Sequence, residues 1–211
     1  ETGLIYGSTP TAGSFPVTVE ATNSIGTGTK TITINVGTVE EGLAAVVDAP
    51  AMTFSSTGDL PWVPQWLYAR DGEDAARSGE IDNNQSSIMT TEVSGPCKLT
   101  FYWGVSSEAD YDFLRFSING IEQEAISGEV GWTRKSFLLP AGTHVLKWEY
   151  EKDEFTRSGL DSGFVDLLAT HLDVDGDGVH SDLEEYFGTS DSDRTQVPST
   201  VVSKESAGAT V

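Results

Sequence analysis

Apolar and polar residues alternate with a period of two along most of this chain. Within residues 1–37, Phe15, Val17 and Val19 alternate with polar neighbours, and Ile32, Ile34 and Val36 alternate with Thr31, Thr33 and Asn35. Between the two runs, Asn23-Ser24-Ile25-Gly26-Thr27-Gly28 is rich in turn residues, so the pattern predicts a hairpin. The alternation returns at Leu99, Phe101, Trp103 and Val105, at Leu114, Phe116 and Ile118, and at Leu146, Trp148 and Tyr150. Asn119-Gly120 closes the second of these runs with the pair preferred in a type I′ turn. Pro140-Ala141-Gly142 predicts a turn before the third, and Val165 and Leu167 mark a last strand. Short strands separated by turn residues predict an all-β fold, an antiparallel jelly-roll sandwich over residues 48–172. Residues 38–47 read as a linker or a leading strand, and residues 195–211 as a polar linker or the start of another domain.

Strands 1–37 alone bury too little to be stable. Either residues upstream complete them, or another chain supplies the missing strands by β-augmentation. The chain opens in the middle of a pattern and reads as a piece of something longer.

The alternation stops at residues 173–184, which read D-V-D-G-D-G-V-H-S-D-L-E. Acidic side chains fall at loop positions 1, 3 and 5 (Asp173, Asp175, Asp177), and Gly178 stands at position 6, where a calcium loop turns sharply. Val179 at position 7 offers a backbone carbonyl. Ser181 at position 9 offers a hydroxyl, directly or through water, and Glu184 at position 12 offers a bidentate carboxylate. Ca²⁺ takes six to eight hard oxygens in a flexible cage, and this spacing supplies them from one short loop. Upstream, Gly163 to Leu168 looks like a strand. Downstream, Asp182 to Phe187 suits a short helix stopped by Gly188. One loop with one helix predicts a structural clip over residues 173–194 rather than a paired sensor.

Charge narrows the partners. Acidic residues number 33 against 12 basic ones, a formal net charge of −21. Nucleic acid and anionic membrane both need a basic face, so the balance argues against them and favours cations. No apolar run is long enough to insert in a bilayer. Cys97 is the single cysteine, so no internal disulfide forms. Secretion stays compatible with this, because calcium can fasten loops in place of disulfides.

Three resemblances follow from particular residues. The 173–189 segment resembles a bacterial thrombospondin-type-3-like calcium repeat, carried by Asp173–Gly178, Leu183-Glu184 and Gly188-Thr189, with Ser181 where that repeat usually has Asp. Gly3-Leu4-Ile5-Tyr6-Gly7, Ala21-Thr22-Asn23-Ser24 and Gly26-Thr27 resemble the last strands of bacterial cadherin-like, immunoglobulin-like domains. Leu99-Thr100-Phe101-Tyr102-Trp103, Ser106-Ser107-Glu108, Ile126-Ser127-Gly128, Ala141-Gly142-Thr143-His144, Trp148-Glu149-Tyr150 and Gly163-Phe164-Val165-Asp166 resemble the MAM-like, concanavalin-type jelly-roll module of large secreted bacterial proteins. That resemblance implies an extracellular or cell-surface chain working beside neighbouring domains of the same parent. Such modules accompany enzymes and adhesins alike, so it implies no activity.

Catalytic chemistry finds little footing. His144, His171 and His180 lie on different elements, outside any motif with a nucleophile or zinc ligand. Trp62, Trp66 and Tyr68, in the proline-broken stretch Pro61 to Tyr68, are candidates for stacking on the sugar rings of a polysaccharide. A lid over the sandwich is the alternative. Trp103 and Trp148 keep step with core residues and read as packing. Asp153, Asp161 and Asp166, near Glu151 and Glu154, form a candidate second calcium site without fixed spacing, and a solvated acidic loop explains them equally well. The expectation is a non-catalytic, calcium-stabilised module serving structure, adhesion or assembly, or else a carbohydrate-binding module.

Overall fold

The computed structural model describes residues 13–36, 39–179, 181, 183, 184, 189, 190 and 192–196. Expectations for residues 1–12 and 197–211, and for Gly188 as a helix stop, lie outside the described residues. Of the helix expected after the calcium loop, Ser181, Leu183 and Glu184 are described, and their backbone is helical.

The first alternating runs form strands β1 (Gly13–Asn23) and β2 (Gly26–Val36), an antiparallel pair in a sheet of its own. The Asn23 side chain caps the turn, accepting hydrogen bonds from the backbone N–H of Ile25 (2.9 Å) and Gly26 (3.1 Å). The register sets Phe15 opposite Ile34 and Val17 opposite Ile32 on one face. The other face carries threonine pairs, Thr18 with Thr31 at 3.2 Å and Thr22 with Thr27 at 2.7 Å. The apolar face is open, with Phe15, Val17, Ile32 and Ile34 between 37% and 39% exposed.

Residues 38–47 correct the expectation of a linker or strand. Val39–Val46 is helix α1. Val39, Leu43, Val46 and Val47 recur at helical spacing, and Leu43, Ala44, Val46 and Val47 are buried in the main core. Gly42 lets the helix approach the next segment closely, since a Cβ there would lie 2.8 Å from Pro64 Cγ. Asp48, at φ 59°, ends the helix in the left-handed region.

The sandwich follows. Its strands are β3 (Phe54–Gly58), β4 (Val63–Gln65), β5 (Ala75–Arg77), β6 (Ser86–Ser106), β7 (Phe113–Ile118), β8 (Ile121–Ser127), β9 (Glu129–Glu151) and β10 (Ser162–Leu172). All pairings are antiparallel. The long strands β6 and β9 serve both layers. Residues 97–106 of β6 pair with β10 and with the first half of β9, giving a front layer ordered β4-β5-β10-β6-β9. Residues 86–95 of β6 pair with β3 and with the second half of β9, giving a rear layer ordered β3-β6-β9-β7-β8.

The bend between layers sits at Gly95-Pro96 on β6 and Pro140-Ala141-Gly142 on β9. Sequence alone predicts a strand-separating turn at the latter. The chain instead turns a corner inside β9, because β6 stays paired with it on both sides of the bend. A Cβ on Gly95 would fall 2.1 Å from the Pro140 carbonyl oxygen, so only glycine fits there. Asn119 (φ 52°) and Gly120 (φ 77°) are both left-handed, as the type I′ turn between β7 and β8 demands.

The core forms where the inner faces meet. Leu99, Phe101 and Trp103 on the front layer face Leu114, Phe116, Leu146, Trp148 and Tyr150 on the rear, all fully buried. Phe101 stands edge-on to Phe116 and to Trp148, with ring centroids 4.8 Å and 5.2 Å apart. The all-β jelly-roll sandwich expected from the alternation is the fold this chain adopts.

Candidate functional site

The calcium-loop candidates lie just after β10. Asp173 is buried, and its carboxylate accepts hydrogen bonds from the N–H groups of Gly176 (2.8 Å) and Gly178 (3.1 Å). Asp175 Oδ1 accepts from Asp177 N at 3.1 Å, and Asp177 Oδ1 accepts from Val179 N at 2.7 Å. Gly176 (φ 72°) and Gly178 (φ 95°) take the left-handed turns that wrap the loop. One carboxylate oxygen from each of Asp173, Asp175 and Asp177 lies within 4.8 Å of the others. Asp175 Oδ2 and Asp177 Oδ2 are buried and have no hydrogen-bond partner. Burial raises the Asp177 carboxyl above its ordinary value. Asp175 and Asp173 add to the rise, while the Val179 N–H and the Arg194 guanidinium oppose it.

Glu184 is fully buried and Val179 nearly so, while the Ser181 hydroxyl donates to the Leu172 carbonyl at 3.1 Å. The donor set is all oxygen, and two buried carboxylate oxygens point at no protein donor. These features fit a hard cation such as Ca²⁺.

The loop is held from two sides. On the sandwich side, Lys98 Nζ donates to the Gly178 carbonyl at 2.9 Å. On the downstream side, Arg194 Nη2 donates to the Gly176 carbonyl at 2.6 Å. Neither cation was singled out from sequence, because neither falls inside the motif.

The candidate second calcium site does not assemble. Asp161 is a partner of Lys152, whose ammonium also donates to Asp112 Oδ2 at 2.8 Å and to the Thr156 carbonyl at 3.3 Å. Asp153 Oδ1 accepts from Phe155 N, and its own N–H donates to Asp112. Asp166 lies elsewhere, at a bulge in β10, where its carboxylate accepts from Arg70 N and Leu167 N, each at 2.7 Å. Among the described residues, the three are brought into no common group. Strand β10 carries Ser162 and Asp166 several residues apart along an extended backbone, which keeps Asp161 and Asp166 from converging.

Asp166 belongs to a different acidic field. Burial pushes its carboxyl up to about 6, against the pull of the two backbone hydrogen bonds, and Asp71 and Asp48 add to the rise. Asp48 and Asp74 are likewise raised, by burial first and then by neighbours that include Asp71 and Glu73. The sequence hides this grouping, since Asp48 reaches it only because α1 folds onto the sandwich.

The aromatic candidates separate. Trp62 is a correction: it is fully buried, and its indole N–H donates to the Ser87 carbonyl at 3.1 Å, so no sugar can reach it. Pro61 and Pro64 do not break it out of the core, because the hydroxyl of Ser56 accepts from Trp62 N and ties the segment to β3. Tyr68 stacks on Trp132 (centroids 5.2 Å apart, planes 16°) and leans on Phe164 at 4.8 Å. It covers the front layer as a lid. Trp66 remains open, 67% exposed, beside a fully exposed Leu67.

No family model matches the sequence, and no curated protein matches it. Among solved structures, the chain is similar to the secreted serine protease VesC from Vibrio cholerae, at 10% identity and TM-score 0.48, covering 74% of this chain and 33% of that one. The chain therefore spans about a third of the length of VesC. It is also similar to a carbohydrate-binding module of the β-sandwich superfamily, at 15% identity and TM-score 0.40, covering 76% of this chain and 74% of that one. A third likeness is to the K3 cleaved adhesin domain of Lys-gingipain from Porphyromonas gingivalis w83, at 15% identity and TM-score 0.38, covering 56% of this chain and 91% of that one. Among the described residues, no helix is long and apolar enough to cross a membrane.

Proposed function

We propose that this chain is a non-catalytic, calcium-stabilised extracellular module, a sandwich whose 173–184 loop clips it to the chain that follows. The observation that carries this reading is the convergence of Asp173, Asp175 and Asp177, with two buried carboxylate oxygens left without a donor. Bound calcium neutralises the clustered carboxylates, which otherwise repel one another in a chain of net charge −21. Asp173, Asp175, Asp177 and Glu184 supply carboxylate ligands, Val179 a carbonyl and Ser181 a hydroxyl. Calcium then stiffens the junction beyond β10, so the module serves structure, adhesion or assembly among neighbouring domains of its parent. The test is a thermal melt and limited proteolysis in millimolar-scale calcium and in EDTA, the weak range typical of extracellular modules. Calcium is expected to raise Tm and to protect residues 170–190. Identical melts and identical cleavage patterns would sink the reading.

A second reading rests on the exposed Trp66. An open indole beside an exposed Leu67, on the rim of the Tyr68 lid, is a platform on which a pyranose ring of a polysaccharide can stack. This makes the chain a carbohydrate-binding module. A glycan array probed with the full chain tests it: retention of one glycan class, lost in Trp66→Ala with Tm unchanged, supports the reading, and a blank array with folded protein rejects it.

A further inference from the structure

We propose that Arg194 is a built-in counter-cation of the 173–184 loop, which competes with the divalent ion and thereby sets the affinity of the site. The inference rests on the calcium reading above and concerns a residue outside the ligand set.

Arg194 follows Asp173 by some twenty positions, yet its side chain returns to the loop. A local turn arranges this. Asp193 Oδ1 accepts from the backbone N–H and hydroxyl of Thr195, and Asp193 Oδ2 accepts from Gln196 Nε2 at 2.8 Å. These bonds occupy the adjacent carboxylate within its own turn, and hydrogen bonding holds that carboxyl below the usual range. The neighbouring guanidinium is directed to the Gly176 carbonyl at 2.6 Å, between the loop's first and third aspartates in sequence. A Cβ on Gly176 would lie 3.2 Å from Arg194 Nη2, so the glycine leaves room for this contact.

Two consequences follow from electrostatics. A guanidinium at the loop offsets part of the carboxylate repulsion while no divalent ion is bound. Once Ca²⁺ arrives, the same positive charge repels it. Removing the charge therefore tightens calcium binding, on the order of threefold to tenfold for an exposed charge a few ångströms from a doubly charged ion. The effect shrinks with salt, because the screening length falls from about 10 Å at 0.1 M to about 3 Å at 1 M. By linkage, calcium weakens the Arg194–Gly176 contact by the same factor.

Calcium titration calorimetry on the full chain tests this, with wild type, Arg194→Gln and Arg194→Lys compared at low and high salt. Arg194→Gln is expected to bind calcium three- to tenfold more tightly at low salt, with the gap closing at high salt. Arg194→Lys, which keeps the charge, is expected to stay near wild type. Equal affinities for wild type and Arg194→Gln, or weaker binding by Arg194→Gln, overturn the proposal while leaving the calcium loop standing. No binding heat and no calcium-dependent Tm shift in any of the three proteins removes the calcium reading and this inference together.

Discussion

Lys152 is a costly residue to lose. Its ammonium and the Asp112 carboxylate are both fully buried, and the cation also reaches Asp161. Burial pushes the lysine toward its neutral form, but the hydrogen bonds of Asp112 and Asp161 outweigh it and hold the pKa above the ordinary lysine value. Replacing one partner strands the other as an uncompensated buried charge, a loss of about 3–5 kcal/mol. Lys152→Met is expected to lower unfolding stability by that amount in denaturant titration, whereas Arg157→Ala, which removes an exposed cation near Asp161, is expected to cost under about 1 kcal/mol. Asp166 gives the opposite kind of signal. Its folded carboxyl titrates near 6, above the ordinary 3.8. The folded state thus holds that proton more tightly than the unfolded chain does. The resulting stability is complete below pH 3.8 and is lost as pH rises toward 6. A Tm-against-pH profile of wild type, set against Asp166→Asn, is expected to show a steeper decline across that window in wild type, the remainder coming from Asp48 and Asp74. Neither role is visible in the linear chain. Lys152 meets Asp112, forty positions away, through the β7–β9 pairing, and Asp161 through the loop that follows.

Elements that rest on local pattern are legible, and those that rest on a tertiary choice are not. Strands β1, β2, β7 and the second half of β9 show strict alternation, and their hairpins carry Asn-Gly or Asn-Ser-Ile-Gly. Their existence follows from period and turn chemistry alone. Helix α1 spans Val39–Val46, too short to declare itself, and holds its shape because Leu43, Ala44 and Val46, with Val47 just beyond it, find the core. Its Gly42 shows how packing overrules propensity. Gly42→Ala gains about 1 kcal/mol of helix propensity. The added methyl meets Pro64 at 2.8 Å, and such overpacking costs about 1–3 kcal/mol. The variant is expected to be neutral to less stable by chemical denaturation, not more. The grouping of Asp173, Asp175 and Asp177 in the loop after β10 is legible because their spacing is local. The two cations flanking the loop are not, since Lys98 arrives from β6 and Arg194 from a turn downstream.

On the scale of the whole molecule, charge and apolar surface are divided unevenly. The chain carries 33 acidic residues, but the β1–β2 hairpin holds only Glu20 and Lys30, which offset each other. Its open face of Phe15, Val17, Ile32 and Ile34 is apolar surface without net charge. If another chain completes these strands, sedimentation velocity on the full chain is expected to show association that grows with concentration and disappears in Val17→Glu. A single species at all concentrations counts against it.

The backbone N–H of Leu168 donates to the carbonyl of Val47 at 2.8 Å, which joins the end of α1 to the middle of β10. A pull applied at residue 173 therefore loads the pairing of Ala169–Leu172 with β6 first and this stitch next. Tension that reaches Leu168 divides there, one part crossing to Val47 and the other staying in the front layer, so the helix and the sheet share the load at one point.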